Sequence, residues 1–193
     1  MTWYVIDGMD GSGKSTAGAM LKSELESRGR RVLEITHPTD HRLVGRIADR
    51  FLHMPGGKFW EILAAVFYII DVVASLAYVR RHRKSYDDLI FVRYSMAVAY
   101  VPKRIVPITY RIVESVLPVP DVKVLIDIDP AVALGRICSR GESLELFETP
   151  ERLSKIRSKI MMISDGWHII DNSGSDDELK EQMLRIINSE VKE

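Results

Sequence analysis

Near its start the chain reads Gly8-Met9-Asp10-Gly11-Ser12-Gly13-Lys14-Ser15. Glycine, four intervening residues and then Gly-Lys-Ser is the spacing of a phosphate-binding loop, the P-loop. Each residue type serves that chemistry. Glycines let successive backbone N–H groups curl around an anion, Lys14 reaches the terminal phosphates of a nucleotide, and the Ser15 hydroxyl can ligate Mg²⁺. The flanks agree. Trp3 to Asp7 is a short apolar run typical of a buried strand, and Ala17, Leu21 and Leu25 recur every four residues on one helix face. Strand, loop and helix then follow in the order that points a partly positive helix N-terminus at bound phosphate. The competing reading is a glycine-rich turn with an exposed lysine.

Further along, Ser27-Arg28-Gly29-Arg30 is a helix stop, and Arg31 to Thr36 reads as a second strand. This completes a βαβ unit and predicts a parallel sheet. The loop His37-Pro38-Thr39-Asp40 precedes a short helix carrying Val44, Ile47 and Phe51, and Pro55-Gly56-Gly57 interrupts the chain. Phe59 to Val79 forms a long apolar helix, ending in the basic run Arg80 to Lys84 that suits a helix C-terminus. Leu89 to Val92, Lys123 to Ile128 and His168 to Asp171 supply three more strands. Asp129-Pro130 and Thr149-Pro150 each read as an N-cap followed by proline at the first helical position. Leu153, Ile156, Ile160 and Ile163 mark the apolar face of one later helix, and Leu179, Met183 and Ile187 that of the last. The pattern predicts an α/β fold, a three-layer α/β/α sandwich on a five-stranded parallel sheet of the P-loop NTPase type, as a single domain over 1–193. Ligands of such sheets sit beyond the carboxyl ends of the strands, which gathers Asp7, Thr36, Arg93, Asp127 and Asp171 around one cleft.

Charge narrows the partners. Lys plus Arg and Asp plus Glu both number 27, so there is no basic field to recruit nucleic acid or an anionic membrane surface. Cys138 is the only cysteine, so no intrachain disulfide forms and a reducing cytoplasm is expected. No basic segment precedes the first apolar run, so no signal peptide is expected. Phe59 to Val79 has the length of a membrane span, but Glu61 and Asp71 within it favour a buried helix of a globular protein.

Taken together, these motifs resemble those of the thymidylate kinase family over nearly the whole length. Ile6-Asp7-Gly8-Met9-Asp10-Gly11 looks like that family's P-loop, in which the carboxylate at the Asp10 position contacts the acceptor sugar. His37-Pro38-Thr39-Asp40 with Gly45 is similar to its Glu-Pro loop and following glycine. Arg93-Tyr94 matches the end of its Asp-Arg-Tyr motif, and Ala99-Tyr100 its later Ala-Tyr. Leu134 to Arg140 and then Glu145-Leu146-Phe147-Glu148 resemble an arginine-bearing lid over about 134–150, and Asn172 falls in the adenine-side loop. The resemblance implies transfer of the ATP γ-phosphoryl group to a nucleoside monophosphate, dTMP to dTDP, with Mg²⁺ and as a homodimer. It implies ATP-binding residues Gly8 to Thr16 and Asn172. Lys14, Arg93, Arg136 and Arg140 are the implied catalytic cations, and Ser15 the metal ligand. Asp10, Pro38, Phe67, Tyr68, Asp71, Arg93, Tyr94 and Tyr100 are the implied acceptor contacts. An ordinary surface ion pair with Glu142 or Glu145 is the alternative for either lid arginine.

Two positions depart from the family pattern. Val92 stands where the family's Asp precedes Arg93; Asp7, Asp10 or Asp127 are candidates to replace it. In the long helix, Phe67-Tyr68-Ile69-Ile70-Asp71-Val72 lacks the arginine that bonds the thymine edge, so Asp71 is expected to face the base and relax or alter its preference; the alternative is that Phe67 and Tyr68 are core residues. His37, where the family has an acid, reads as a surface histidine, the alternative being a titrating phosphate contact. Other readings remain: a P-loop kinase for a different small acceptor, or a non-catalytic ATP-binding relative.

Overall fold

Successive side chains of the central strands point to opposite apolar layers, which is how a parallel sheet is buried on both faces. The computed structural model describes residues 1–52, 58–139 and 149–190. Its elements are β1 (Thr2–Asp7), α1 (Lys14–Ser27), β2 (Val32–Thr36), α2 (Leu43–Leu52), α3 (Lys58–His82), β3 (Asp88–Val92), α4 (Val106–Val116), β4 (Val122–Asp127), α5 (Pro130–Cys138), α6 (Pro150–Met161), β5 (His168–Asp171) and α7 (Asp176–Glu190). All pairings are parallel, in the order β2-β3-β1-β4-β5. Trp3, Val5, Leu89, Phe91 and Leu125 meet Val72 and Val79 of α3, Tyr110 of α4 and Leu153 and Ile160 of α6. Tyr4, Ile6, Ile90, Val92, Val124 and Ile126 meet Ala17, Leu21 and Leu25 of α1 and Leu179, Met183 and Ile187 of α7. The expected three-layer α/β/α arrangement is therefore the observed one.

Topology places the site. The chain turns from β1 outward to β2 and β3 on one side, then crosses to β4 and β5 on the other, so the crevice opens at the carboxyl end of β1. Register keeps the ends level: Ile6 and Thr36 both pair with Val92, and Asp127 with Asp171. At the opposite edge a two-pronged Arg30–Asp88 pair and an Arg31–Asp87 pair fasten β2 to β3.

Two helices differ from the sequence reading. The helix expected to be buried runs three residues past Val79 and is covered on one side only: Ala64, Val72 and Val79 are buried, whereas Val66, Ile69, Ile70 and Val73 are exposed. Among the described residues it alone has the length and composition to cross a membrane, and it packs along α2. Helix α4 went unforeseen, because Ile108, Ile112 and Val116 face outward and Pro102, Pro107 and Pro118 punctuate the stretch as they would a loop. Of the expected lid, 134–138 belong to α5, and 140–148 lie outside the described residues. The two helix caps are as read: Asp129 accepts from the Ala131 N–H at 2.8 Å, and Thr149 from that of Arg152.

Phe91 is fully buried and sets its ring edge-on to Trp3, His37 and Tyr94. Truncation to alanine loses both transfer energy and packing, so Phe91→Ala is expected to lower unfolding stability by about 3–5 kcal/mol, read by urea denaturation.

Candidate active site

The P-loop geometry demands its glycines. Gly8 has φ 151°, and a Cβ there would strike the Ile126 carbonyl of β4. Gly13 has φ 94° immediately before α1, and a Cβ would strike the Asn172 amide beyond β5. The loop is thereby wedged between β1, β4 and the turn after β5. Asn172 donates to the Ser12 carbonyl at 2.8 Å, while Arg136 donates to the Asn172 carbonyl at 3.1 Å. Lys14 lies folded over the loop, its Nζ 2.5 Å from the Met9 carbonyl. The Ser12 Oγ and the Asn172 Oδ1 are buried with no partner among the described residues, as expected of polar atoms lining a cradle for a polar ligand.

A second set of contacts ties this loop to the chain after β3. The Asp7 carboxylate is buried and accepts three backbone N–H bonds, from Gly8 at 3.0 Å, Tyr94 at 2.9 Å and Met96 at 3.0 Å. Burial raises its pKa above the ordinary value, against the pull of those donors and Lys14. Arg93 has φ 65°, a left-handed conformation uncommon for a residue with a side chain and costing about 1–2 kcal/mol. It is held by its N–H to the Ile6 carbonyl and by its guanidinium, 2.7 Å from Asp10. Tyr100 donates to the other Asp10 oxygen at 2.5 Å. Burial pushes the Asp10 pKa up, but Lys14, Arg93 and Tyr100 outweigh it and hold the group below the usual carboxylate range. A cavity of about 350 Å³ opens beside this cluster, bounded by Asp10, Arg93, Tyr94 and Tyr100 at the loop and by α3 and α4 beyond.

A glycine cradle on β1 and an arginine at the end of β3, facing one cavity, narrow the kinship. The chain matches the sequence profile of the thymidylate kinase family, described as "Thymidylate kinase", over residues 6–183. The chain belongs to the thymidylate kinase family. It is 31% identical over 191 residues to the thymidylate kinase of Leptospira borgpetersenii serovar Hardjo-bovis, covering 95% of this chain and 92% of the relative. It is 30% identical over 192 residues to the probable thymidylate kinase of Pyrobaculum calidifontis, covering 96% and 95%. The solved thymidylate kinase of Candida albicans superposes with a TM-score of 0.75 at 19% identity, over 97% of this chain and 91% of that one, which bears on the fold. Membership makes this chain an ATP-dependent phosphotransferase, and the family reaction is phosphorylation of dTMP to dTDP.

Against the family pattern, the structure gathers most of the expected residues. Gly8 to Thr16, Asn172 and Arg136 surround the donor loop, and Pro38, Tyr68, Arg93, Tyr94 and Tyr100 border the cavity. Arg140 lies outside the described residues. Phe67 is not on the cavity wall; its ring packs at 5.6 Å from Phe51 of α2. Asp71 is also displaced from its expected role. It is fully buried, accepting from the Thr39 backbone N–H at 2.7 Å and the Thr39 hydroxyl at 2.6 Å, so it fastens the loop after β2 to α3 and does not line the cavity. None of the candidates for the carboxylate missing at Val92 is idle: Asp7 and Asp10 are engaged as described, and Asp127 takes a two-pronged bond from Arg157 at 2.8 and 2.7 Å. Val92 itself packs in the apolar layer under α1.

The largest correction concerns His37, which is buried rather than on the surface. One ring nitrogen is 2.9 Å from the Arg93 carbonyl and the other 2.9 Å from Ser75 Oγ. Since a carbonyl only accepts, Nδ1–H donates to Arg93 and Nε2 accepts from Ser75, whose oxygen in turn accepts from Arg42 at 2.6 Å. No sequence signal marks Ser75 or Arg42, because both act across 33 residues or more of chain.

Burial lowers the His37 pKa from 6.5 to about 4, which keeps the ring neutral near pH 7. Between those values the unfolded chain takes up a proton that the folded one refuses, so stability falls as pH drops from 6.5 toward 4, by about 3 kcal/mol in all. Above pH 6.5 the group contributes no slope. Urea titrations of the wild type and His37→Gln at pH 7, 6, 5 and 4.5 are expected to show the shallower fall in the variant.

Proposed function

We propose that this chain transfers the γ-phosphoryl group of ATP to dTMP, the P-loop holding the donor and Arg93 the acceptor phosphate. The observation that carries this reading is Asp10. One carboxylate lies 2.7 Å from the Arg93 guanidinium and 3.7 Å from Lys14 Nζ, so a donor-side and an acceptor-side cation stand within the span of a single side chain. Phosphoryl transfer asks for in-line positioning and charge neutralisation more than for covalent chemistry. In this reading Lys14 and the loop N–H groups take the donor phosphates, with Arg136 and Arg140 adding positive charge. Asn172 stands on the adenine side. Arg93 grips the acceptor phosphate as a fork, Asp10 and Tyr100 orient its sugar, and Pro38, Tyr68 and Tyr94 shape the pocket.

Mg²⁺ bound at the Ser15 hydroxyl, exposed in the first turn of α1, would neutralise charge on the donor phosphates. The site suits a metal that keeps phosphate and water ligands. Among the described residues no three acidic, histidine or cysteine side chains gather as a cage, and the Val92 side chain offers no oxygen.

Residues 1–193 act as one kinase domain in the cytoplasm, without nucleic-acid or membrane partners. ATP consumption with Mg²⁺ and dTMP is expected to be lost in Lys14→Ala. Arg93→Ala is expected to raise the KM for dTMP by roughly 10- to 150-fold, the worth of a hydrogen-bonded charge.

A homodimer accounts for the uncovered apolar face of α3. Val66, Ile70 and Val73 follow helical spacing there and stand about half exposed. Sedimentation is expected to give twice the 22.0 kDa chain mass, and Ile70→Glu with Val73→Glu to shift it to the monomer.

A further inference from the structure

The far part of the acceptor cavity carries little charge. Among the described residues that line it, Arg93 is the one cation, and it sits at the P-loop end on Asp10. Away from that end, α3 contributes Ala65, Tyr68, Ile69 and Val72, and α4 contributes Val113. Tyr68 offers a ring but not its hydroxyl, which donates to the Tyr94 carbonyl at 3.2 Å. Among the described residues, the polar side chains on the wall beyond the Asp10–Arg93 cluster and the tyrosines are the Thr109 hydroxyl, the Ser95 hydroxyl, which bonds the Tyr110 side chain, and the Asp49 carboxylate of α2. A hydroxyl donates or accepts, and a carboxylate only accepts. Among the described residues, no charged or two-pronged donor therefore waits for the 4-keto oxygen of thymine, and no cation repels the 4-amino group of cytosine.

We propose that this cavity selects its base by shape and apolar contact rather than by keto or amino identity, so that dCMP and 5-methyl-dCMP are phosphorylated alongside dTMP. The proposal rests on the reading of the site as a nucleoside monophosphate kinase. Pockets that hold a buried polar partner reject the wrong group by roughly 10⁴-fold or more, whereas apolar walls discriminate isosteres by about a hundredfold at most. A buried 5-methyl group adds about fourfold. Val72, on the wall, is the position from which a fork of donors would change this.

The test measures kcat/KM for dTMP, dUMP, dCMP and 5-methyl-dCMP with ATP and Mg²⁺, using the full chain. The expected ratio of dTMP to 5-methyl-dCMP is below about a hundred, with dTMP ahead of dUMP by about fourfold. A dTMP to 5-methyl-dCMP ratio above about a hundred overturns the proposal. Val72→Arg is expected to raise that ratio at least roughly tenfold by supplying the keto group with donors. No change in a variant that keeps wild-type helicity also counts against it, and if the variant does not fold the wild-type ratio decides alone. Activity toward no monophosphate above the Lys14→Ala blank overturns the kinase reading itself, a result distinct from high selectivity for dTMP.

Discussion

The buried Asp7 carboxylate joins the two halves of the site. It closes β1 with an oxygen pair, and the N–H groups of Gly8, Tyr94 and Met96 converge on it from the loop that follows β1 and the loop that follows β3. A carboxylate removed from water is stable only when such donors replace its hydration. The same bonds that satisfy it therefore fix the distance between the phosphate loop and the chain carrying Arg93. With that distance set, the left-handed backbone at Arg93 becomes tolerable, because its N–H, carbonyl and guanidinium are all engaged.

A second fastening explains the histidine where relatives carry an acid. His37 links the Arg93 carbonyl to Ser75 of α3, while Asp71, one helical turn before Ser75, grips Thr39 two residues beyond the histidine. The two bonds pin one loop to one helix at two points. A neutral imidazole suits this place better than a carboxylate, since it can donate to a carbonyl and accept from a hydroxyl at once.

What could be read from the chain and what could not divides along a physical line. The phosphate loop, the strands and the capped helices announce themselves because their causes are local: glycines at fixed offsets, apolar runs, and Asp129 or Thr149 before proline. The places of His37 and Asp71 are not legible in the chain, because their surroundings are assembled by residues more than thirty positions away. Phe67 was misassigned for a related reason. Adjacent aromatics on a helix point in different directions, and only the packing of α2 against α3 sends Tyr68 to the cavity and Phe67 to Phe51. Helix α4 stays hidden because Ile108, Ile112 and Val116 make its outer face apolar as well as the inner face of Val106 and Tyr110, and prolines bracket it, which blurs the contrast that reveals a helix in sequence.

Asp10 also sets the terms on which an anion binds. The site contains its own anion, lodged between Arg93 and Lys14 and held by Tyr100. An incoming phosphate competes with this internal counter-ion, so its net affinity is a difference between two attractions. Free inorganic phosphate, with no sugar or base to add contacts, gains least from that exchange. For the reaction proposed above, this exchange disfavours bare anions relative to ligands that offset the displacement with the rest of their structure.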